Sequence, residues 1–470
     1  MTLYKGYAAE LAAMIESATL LPGQRLPSVR EASRHRGLSA VTVQRAYHSL
    51  EARGLIEARA RSGYFVSRRL PALPQPPSVS RPVAQSTAVR KGELIFEVLD
   101  AVQQRRVVPL GSAFPSPLLF PLPQLSRALS RGMRGLDPWR TVSDLAPGNA
   151  ALRRQISLRY HIDGIDIAAD ELVITDGAME ALNLCLQAVT RPGDAVVVES
   201  PTFYVALQAL ERLGLRAIEV ATHPAEGVDL AALGQVLRQQ RPAACWLMPN
   251  FQNPTGALMA DERKQQLVAL LEQHRVPLIE DDVYGELYYG GQRPRPAKAY
   301  DRSGNVLHCG SFSKCLAPGY RIGWAAPGRH AATVRRLKLG STLSAAIPSQ
   351  LALADYLDGT AYDRHLRRLR ETLAVERDAM INAVVEFFPA GTRVTRPQGG
   401  YFLWIELPRK ADALKLYRLA LAQGISIVPG AILSARERFA HCIRLNYGHP
   451  EDRRVVRALK TLGRLALDCL

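Results

Sequence analysis

Between residues 172 and 325 the chain carries seven short apolar runs, and helical patterns separate most of them. Such an alternation is typical of a mostly parallel sheet with helices packed on its faces. Ligands of such sheets bind beyond the carboxyl ends of the strands, so the residues that follow each run are the candidates for function. The seven predicted strands are Leu172–Thr175, Val196–Glu199, Ala217–Val220, Ala244–Met248, Pro277–Asp281, Val306–Gly310 and Ile322–Ala325.

The composition is that of an ordinary globular protein. At roughly 100–200 residues a domain, 470 residues allow two to four domains, and the apolar fraction of 47% excludes a disordered or collagen-like chain. We expect no membrane span and no signal peptide, because no apolar run is long enough for either. The six cysteines lie far apart without a CxxC pair, which favours a reducing cytosol and predicts neither disulfides nor a metal site.

A proline-rich segment over residues 70–90 divides the chain into two parts. It holds five prolines and several serines without an acidic residue, which predicts an extended linker. We therefore predict an N-terminal module over residues 1–69 and an α/β domain over residues 91–470. The net charge of +17 is densest in the module, where eleven Lys and Arg residues stand against five acidic ones. This excess of positive charge favours a polyanionic partner.

The N-terminal module has the element order of a winged helix-turn-helix. After a first amphipathic helix, Ser28 and Glu31 form a capping box that opens a second helix, and Gly37 ends it. Ser39 caps a third helix, and a basic hairpin with a turn at Gly63 follows. The third helix of such a fold enters the major groove of DNA. The alternative is a small helical adaptor whose basic residues are merely solvated.

The predicted DNA contacts lie around the third helix and on the hairpin. The first residues of a recognition helix contact base edges, and basic residues around it hold phosphates. Residues 26–66 resemble the GntR-type DNA-binding domain, although Ala40 and Val41 stand where that family often carries polar or basic residues. We therefore expect base recognition to depend on apolar contacts and on Gln44. The candidate residues are Arg30, Ser39, Ala40, Thr42, Gln44, Arg45, Arg61 and Gly63.

Five short polar motifs follow strands of the predicted α/β domain. Each alone is compatible with an ordinary turn, a core aromatic residue or a solvated lysine. Together they supply a lysine that can trap an aldehyde, a carboxylate that can pair with a pyridinium, an aromatic ring and a phosphate site. Pyridoxal 5'-phosphate (PLP) requires these groups. The motifs are Thr175-Asp176-Gly177-Ala178-Met179, Pro201-Thr202-Phe203-Tyr204, Asn250–Gly256, Ile279–Tyr284 and Ser311–Arg321.

Residues 107–470 resemble the fold-type I aminotransferases of the 2-aminoadipate and kynurenine branch. The resemblance extends to Pro147-Gly148, Gly399–Trp404 and Ile443-Arg444-Leu445. It implies a seven-stranded, mostly parallel sheet with a small second α/β domain.

The same resemblance implies the roles of the site residues. Lys314 would bind PLP as an internal aldimine, Asp281 would pair with the pyridine nitrogen, and Arg444 would bind the carboxylate of an amino acid. Lys314, Asp281 and Tyr284 are the implied catalytic residues. The implied contacts of the ring and the phosphate are Gly177, Ala178, Met179, Phe203, Asn253, Asp281, Tyr284, Ser311, Ser313, Lys314 and Arg321.

One loop departs from the pattern of that family. Relatives often carry a tyrosine before Pro147 that reaches the phosphate of the partner subunit. Residues 141–146 contain none. The departure predicts a weaker or differently built phosphate site across a dimer.

A GntR-type winged helix, a proline-rich linker and an aminotransferase-like domain in one chain resemble the MocR/GabR regulators. The resemblance implies a homodimeric bacterial transcription factor that binds double-stranded operator DNA in the cytoplasm, on the nucleoid. Its implied signal is PLP or an amino acid or amine that reacts by aldimine chemistry at Lys314. Two alternatives stay open. One is an active class I/II aminotransferase with a DNA-binding appendage, and the other is a regulator of vitamin B6 synthesis that senses PLP alone.

Overall fold

The computed structural model describes residues 3–17, 19–59, 62–67, 74–89, 94–103, 106–450 and 452–470. They form a small N-terminal module, an extended connecting segment and a large α/β part. Among these residues no helix is both long and apolar enough to cross a membrane. In the same ranges, no group of three or more His, Cys, Asp or Glu side chains is placed to hold a metal ion.

The N-terminal module is a bundle of three helices with a two-stranded wing. Its elements are α1 (Leu3–Glu16), α2 (Val29–Arg36), α3 (Ala40–Ala52), β1 (Ile56–Arg59) and β2 (Gly63–Val66). Ser28 and Glu31 exchange hydrogen bonds at the start of α2, as the capping box predicts, and Gly37 ends the helix at φ 64°. The core surrounds Tyr47, whose hydroxyl donates to the Pro27 carbonyl at 2.8 Å. The predicted element order is therefore observed.

Residues 74–89 are extended, as their prolines predict, but they are bound along the large part. The backbone N–H and the hydroxyl of Ser78 donate to the Glu406 carboxylate at 2.6 and 3.0 Å. Burial favours a higher pKa for Glu406, but the hydrogen bonds from His441 and Ser78 lower it to about 2. The Ser80 N–H donates to the Thr222 carbonyl, and β3 (Thr87–Ala88) pairs with residues 216–217. Serine hydroxyls and amides between the prolines thus fasten the segment.

A sheet of nine described strands forms the centre of the large part. Its helices and strands are α4 (Leu94–Gln103), α5 (Leu122–Arg134), α6 (Arg140–Ser143), α7 (Ala150–Ile162), β4 (Val173–Thr175), α8 (Ala178–Val189), β5 (Ala195–Ser200), α9 (Tyr204–Arg212), β6 (Arg216–His223), β7 (Gly227–Val228), α10 (Leu230–Gln240), β8 (Ala244–Leu247), α11 (Asp261–His274), β9 (Leu278–Asp281), β10 (Val306–Ser311), β11 (Gly323–Ala326), α12 (Ala331–Ser341) and α13 (Ile347–Leu357). The strand order is β3-β6-β5-β8-β9-β10-β11-β4, with β7 beside β6.

All seven predicted strands belong to this sheet. The four central strands β5, β8, β9 and β10 are parallel, whereas β11 is antiparallel to both of its neighbours. The sheet has nine strands rather than seven because β3 and β7 add two-residue pairings at its edge. Pairings that short have no hydrophobic period that a sequence pattern could reveal.

The C-terminal residues build the second, smaller α/β unit. Its elements are α14 (Ala361–Phe387), β12 (Arg393–Val394), β13 (Phe402–Glu406), α15 (Ala413–Ala422), β14 (Val428–Pro429), β15 (Cys442–Asn446) and α16 (Arg453–Leu467). The four strands are antiparallel in the order β12-β13-β15-β14. The long helix α14 also packs against α3 of the N-terminal module.

We expect Leu50→Ala to destabilise the N-terminal module alone. Leu50 is fully buried in the core of the module, and the cavity left by its truncation costs about 2–5 kcal/mol. Hydrogen exchange of the α3 amides in the full chain should become faster. The unfolding midpoint by tryptophan fluorescence should stay constant, because all four tryptophans lie at or after Trp139.

The control for this prediction is Val41→Ala on the same helix. The Val41 side chain is 61% exposed, so its truncation should cost less than about 0.5 kcal/mol. Unchanged exchange in the Leu50 variant would contradict the described core.

Candidate functional site

The carboxyl ends of five strands surround a cavity of about 250 Å³. The structure brings ten of the predicted site residues together in its wall. They are Ala178, Met179, Phe203, Asn253, Asp281, Tyr284, Ser311, Ser313, Lys314 and Arg321. Gly177 precedes the first of them in the chain, and Arg444 lies behind the wall and contacts Asn253.

Lys314 lies in an apolar part of the cavity. Its Nζ donates to the Ala113 carbonyl at 2.9 Å and lies 4.1 Å from the centre of the Phe114 ring. Burial lowers the pKa of Lys314 to about 7, although the charge of Asp281 acts in the opposite direction. A lysine with such a pKa is about half uncharged at neutral pH, and the uncharged amine is its nucleophilic form.

Asp281 lines the cavity with a carboxylate of which one oxygen has no hydrogen-bond partner. The side chain is buried, and its Oδ1 atom has no hydrogen-bond partner. Burial raises the pKa of Asp281 to about 7, although the charge of Lys314 favours the ionised form. An orphaned buried oxygen is costly. A cation or a donor bound beside it would satisfy the atom.

The opposite end of the cavity is built to hold an anion. The helix α8 starts at Gly177 without a side-chain cap, so the positive end of its dipole lies at the cavity. The Ser311 hydroxyl donates to the Ser313 hydroxyl at 3.0 Å. The Arg321 guanidinium donates to the Asp176 carbonyl at 2.8 Å, and a Cβ at Gly177 would lie only 2.4 Å from it. The guanidinium therefore occupies space that only glycine leaves open.

Arg444 is buried and forms a link between the two sheets. Its Nη1 donates to Asn253 Oδ1 at 3.1 Å, its Nη2 donates to the Gly111 carbonyl at 2.8 Å, and its Nε has no partner. The guanidinium also lies 4.2 Å from the centre of the Phe402 ring. A carboxylate would bind this guanidinium more strongly than the neutral oxygens that it contacts.

Sequence reasoning missed the residues that close the cavity near Lys314. The Ala113 carbonyl accepts from both Lys314 and the Tyr401 hydroxyl, the latter at 3.0 Å, and Phe114 covers the amine. These residues lie in a loop without a periodic pattern. The one sequence feature that marks this loop is Gly111, two residues before Ala113. A Cβ at this position would lie 3.0 Å from the backbone of Ile427, so the close approach requires glycine.

The predicted DNA-binding residues are spread over α2, α3 and the wing. Ser39 is a helix cap, because its hydroxyl accepts the Thr42 N–H at 3.1 Å. Gly63 begins β2 at φ 97° and pairs with Arg59. Arg61 lies outside the described residues. The exposed side chains of this set are Arg30, Ser39, Ala40, Gln44 and Arg45.

Comparison with known proteins gives two family matches. Residues 122–462 match "Aminotransferase class I and II", and residues 3–66 match "Bacterial regulatory proteins, gntR family". The chain is 49% identical to YdcR of Escherichia coli, an uncharacterized HTH-type transcriptional regulator, over 99% of both chains. It is 37% identical to YjiR, a similarly described regulator of that organism, over 98% of both chains. The kynurenine aminotransferase of Pyrococcus horikoshii has a TM-score of 0.73 at 30% identity, over 81% of this chain and 95% of its own.

These matches identify PLP as the cofactor of the domain, and the cavity fits it. The unpaired oxygen of Asp281 can accept a hydrogen bond from a protonated pyridine nitrogen. The uncapped start of α8 suits a phosphate. Lys314 supplies an amine that is nucleophilic at neutral pH.

We expect Lys314→Ala to abolish the covalent attachment of PLP. The wild-type protein with added PLP should be yellow, and borohydride should fix the cofactor to the peptide that contains Lys314. The exposed Lys460 provides the matched control, so Lys460→Ala should label as the wild type does. Mass spectrometry of the reduced protein measures the label. Equal labelling of the Lys314 variant would contradict the proposed site.

The rate of PLP attachment should follow the lowered pKa of Lys314. Because the uncharged amine reacts, the rate should rise about tenfold from pH 5 to 6 and level off above about pH 8. The reaction of Nα-acetyl-lysine with PLP is the reference. The ionisations of PLP affect both reactions equally, so the two profiles differ only through the pKa of the amine. Its rate should keep rising towards pH 10. Parallel profiles for protein and reference would contradict the lowered pKa.

Proposed function

Because the chain belongs to the MocR-type branch of the GntR regulators, we propose that its DNA binding responds to a ligand held at Lys314. In this proposal the winged helix binds an operator, and the aminotransferase domain serves as the sensor. The observation that carries the proposal is a single helix, α14, which contacts both sites.

The helix α14 connects the lysine loop with the recognition helix. It has 27 residues and is therefore about 40 Å long. Near its start, His365 Nε2 donates to the carbonyl of Cys315 at 2.7 Å, and the Tyr362 hydroxyl lies 3.1 Å from the Cys315 thiol. Farther along, the same helix packs against α3. A ligand that displaces the residue after Lys314 thus acts on a rigid element that reaches the DNA-binding module.

The residues of the cavity divide the binding of PLP among them. Bound PLP supplies an aldehyde that condenses reversibly with primary amines. Lys314 would provide the resident amine, Asp281 would stabilise a proton on the pyridine nitrogen, and Phe203 would pack against the ring. Asn253 and Tyr284 would donate to the ring oxygen. The phosphate would be held by the Ala178 and Met179 amides, the Ser311 and Ser313 hydroxyls and the Arg321 guanidinium.

Arg444 gives the site its response to amino acids. The carboxylate of an incoming amino acid would take the place of the Gly111 carbonyl on the Arg444 guanidinium. A wider cavity of about 1290 Å³ adjoins the site through Ala113 and Phe114 and leaves room for a side chain. A coupling of about 1–3 kcal/mol between this exchange and DNA binding is the expected scale.

An exposed apolar face supports assembly into a homodimer. Trp139 is 77% exposed, and Val142 and Leu343 are 62% and 58% exposed. The Ala146 N–H donates to the Leu343 carbonyl, which joins two of these segments. Apolar side chains of this size are costly in water, and a second copy of the chain would cover them. We place the dimer in the bacterial cytoplasm, bound to the nucleoid.

A second candidate function is transamination. The observation that favours it is the low pKa of Lys314, which allows this amine to take up and return a proton at neutral pH. Multiple-turnover assays with several amino donors and keto acids test this candidate. Two results together would indicate that the chain is primarily an aminotransferase. These are steady turnover and binding to its upstream DNA that is no tighter than binding to random DNA.

The direct test is a titration of the full chain with DNA from upstream of its own gene. Apo protein, protein with PLP, and protein with PLP and a panel of amino compounds are compared at fixed salt, because phosphate contacts make affinity salt-dependent. We expect specific binding that changes about 5- to 150-fold with one ligand. A change with PLP alone would identify the sensor of vitamin B6. Equal affinity in every arm would refute sensing.

We expect Arg444→Lys to weaken the response to amino acids and to leave the PLP response in place. Lysine keeps the positive charge but cannot form the bidentate hydrogen bonds that arginine forms with a carboxylate. The half-effective amino acid concentration should therefore rise at least about tenfold. The matched control is Arg457→Lys, which makes the same change at an exposed position on α16 and should respond to amino acids as the wild type does. Retention of the wild-type amino acid response by the Arg444 variant would contradict the assigned carboxylate site.

A further inference from the structure

The face of α3 that points away from the core of its own module is turned towards α14 and contacts it at one end. At 100° a residue, Val41, Arg45, His48 and Ala52 share one face of α3, opposite the buried residues of that helix. Ala52 is nevertheless only 9% exposed. The Asn382 side-chain amide on α14 donates to the Ala52 carbonyl. The large part therefore covers the end of this face.

Farther towards the start of α3, a cleft of about 410 Å³ separates the two helices. The wall on the α3 side includes Val41, Gln44, Arg45 and His48, and the wall on the α14 side includes Arg368, Glu371, Thr372, Val375 and Glu376. The contributing α14 residues recur at helical spacing and form one face, apart from its apolar core face. The two helices thus lie side by side over most of α3.

Arg45 on the α3 wall of the cleft lies across from two acids, Glu371 and Glu376, which outnumber Arg368 on the α14 wall. Burial and the Glu371 charge raise the pKa of Tyr4 to about 12, and the Arg45 charge acts in the opposite direction. Both charges therefore lie close to the same tyrosine ring at the edge of the cleft. Glu371 and Arg45 line opposite walls of the cleft, so Glu371 places a negative charge on the side of α3 where a DNA phosphate would otherwise lie.

We propose that α14 masks the recognition helix, so that this arrangement is a DNA-free state and DNA must displace α14 before it can bind. The proposal rests on the proposed function, because it takes α3 as the helix that enters DNA. A recognition helix lies in a groove about 12 Å wide with phosphates on both sides. The side of α3 that would face the groove opens onto the cleft, and α14 forms the opposite wall. A cleft of about 410 Å³ is too small for a DNA duplex, so DNA and α14 exclude each other.

This contact also gives the sensor a means of acting on DNA binding. The helix that covers α3 is the one whose His365 binds the carbonyl next to Lys314. A ligand that moves α14 changes the population of the masked state, and the affinity for DNA falls with the fraction that is masked.

A reversible cross-link between the helices tests the proposal. In the double variant Ala52→Cys and Asn382→Cys, oxidation should join α3 to α14 within one chain. The native cysteines are all buried, so they provide little background. The cross-linked protein should bind a labelled mixed-sequence duplex at least about tenfold more weakly than the same protein after reduction. Wild-type protein treated identically is the control and should not change.

The outcomes separate the masking from the proposed function. Equal binding before and after reduction overturns the masking. Failure of the folded variant to form the intrachain bond, or a bond that forms only between two chains, overturns the described contact. Binding of DNA by neither form overturns the proposed function itself.

A pair of single variants tests the same contact without a cross-link. Glu371→Gln removes the acid that faces Arg45 and should tighten binding of the duplex about three- to tenfold. Glu386→Gln removes the same charge from an exposed position farther along α14 and should change binding by much less. Equal effects of the two variants would show that net charge alone acts, and would overturn the proposed role of Glu371.

Discussion

The parallel pairing of β9 with β10 is the constraint on which the cavity around Lys314 depends. In its register Cys309 lies opposite Asp281, so the carboxylate at the end of β9 comes beside the loop that carries Lys314. Burial removes water from the Asp281 carboxylate and the Lys314 ammonium. It therefore raises the pKa of the acid and lowers the pKa of the amine. The cavity between them is therefore prepared for a ligand that supplies both a cation and an electrophile.

The connection between the two parts of the chain consists of more than a flexible tether. Ser78 is hydrogen-bonded to the smaller sheet through Glu406, and Ser80 is bonded to the main sheet through Thr222. Any rotation of one sheet against the other therefore acts on the segment that holds the winged helix. The helix α14 provides the second connection, and it contacts the lysine loop through His365.

Much of the fold and of the site could be predicted from the sequence, since the relevant patterns are local. Apolar runs predicted seven strands, and the polar residues after them meet in one cavity because parallel strands end at the same edge of a sheet. The two-residue strands β3 and β7 were missed, because they are formed by pairing with β6 and not by their own side chains. Ala113 and Phe114 were missed for a similar reason, as their loop has no local pattern.

The sequence alone determined the capping of α2 by Ser28 and the order of the winged-helix elements. It also singled out the lysine and the aspartate that line the cavity and the arginine behind its wall. These features depend on propensities and motifs within a few residues. Tertiary structure alone decided that Arg444 meets Asn253, 191 positions away, and that α14 faces α3. Contacts of this kind arise from the packing of distant apolar surfaces. Packing of that kind leaves no periodic trace in either partner's own sequence.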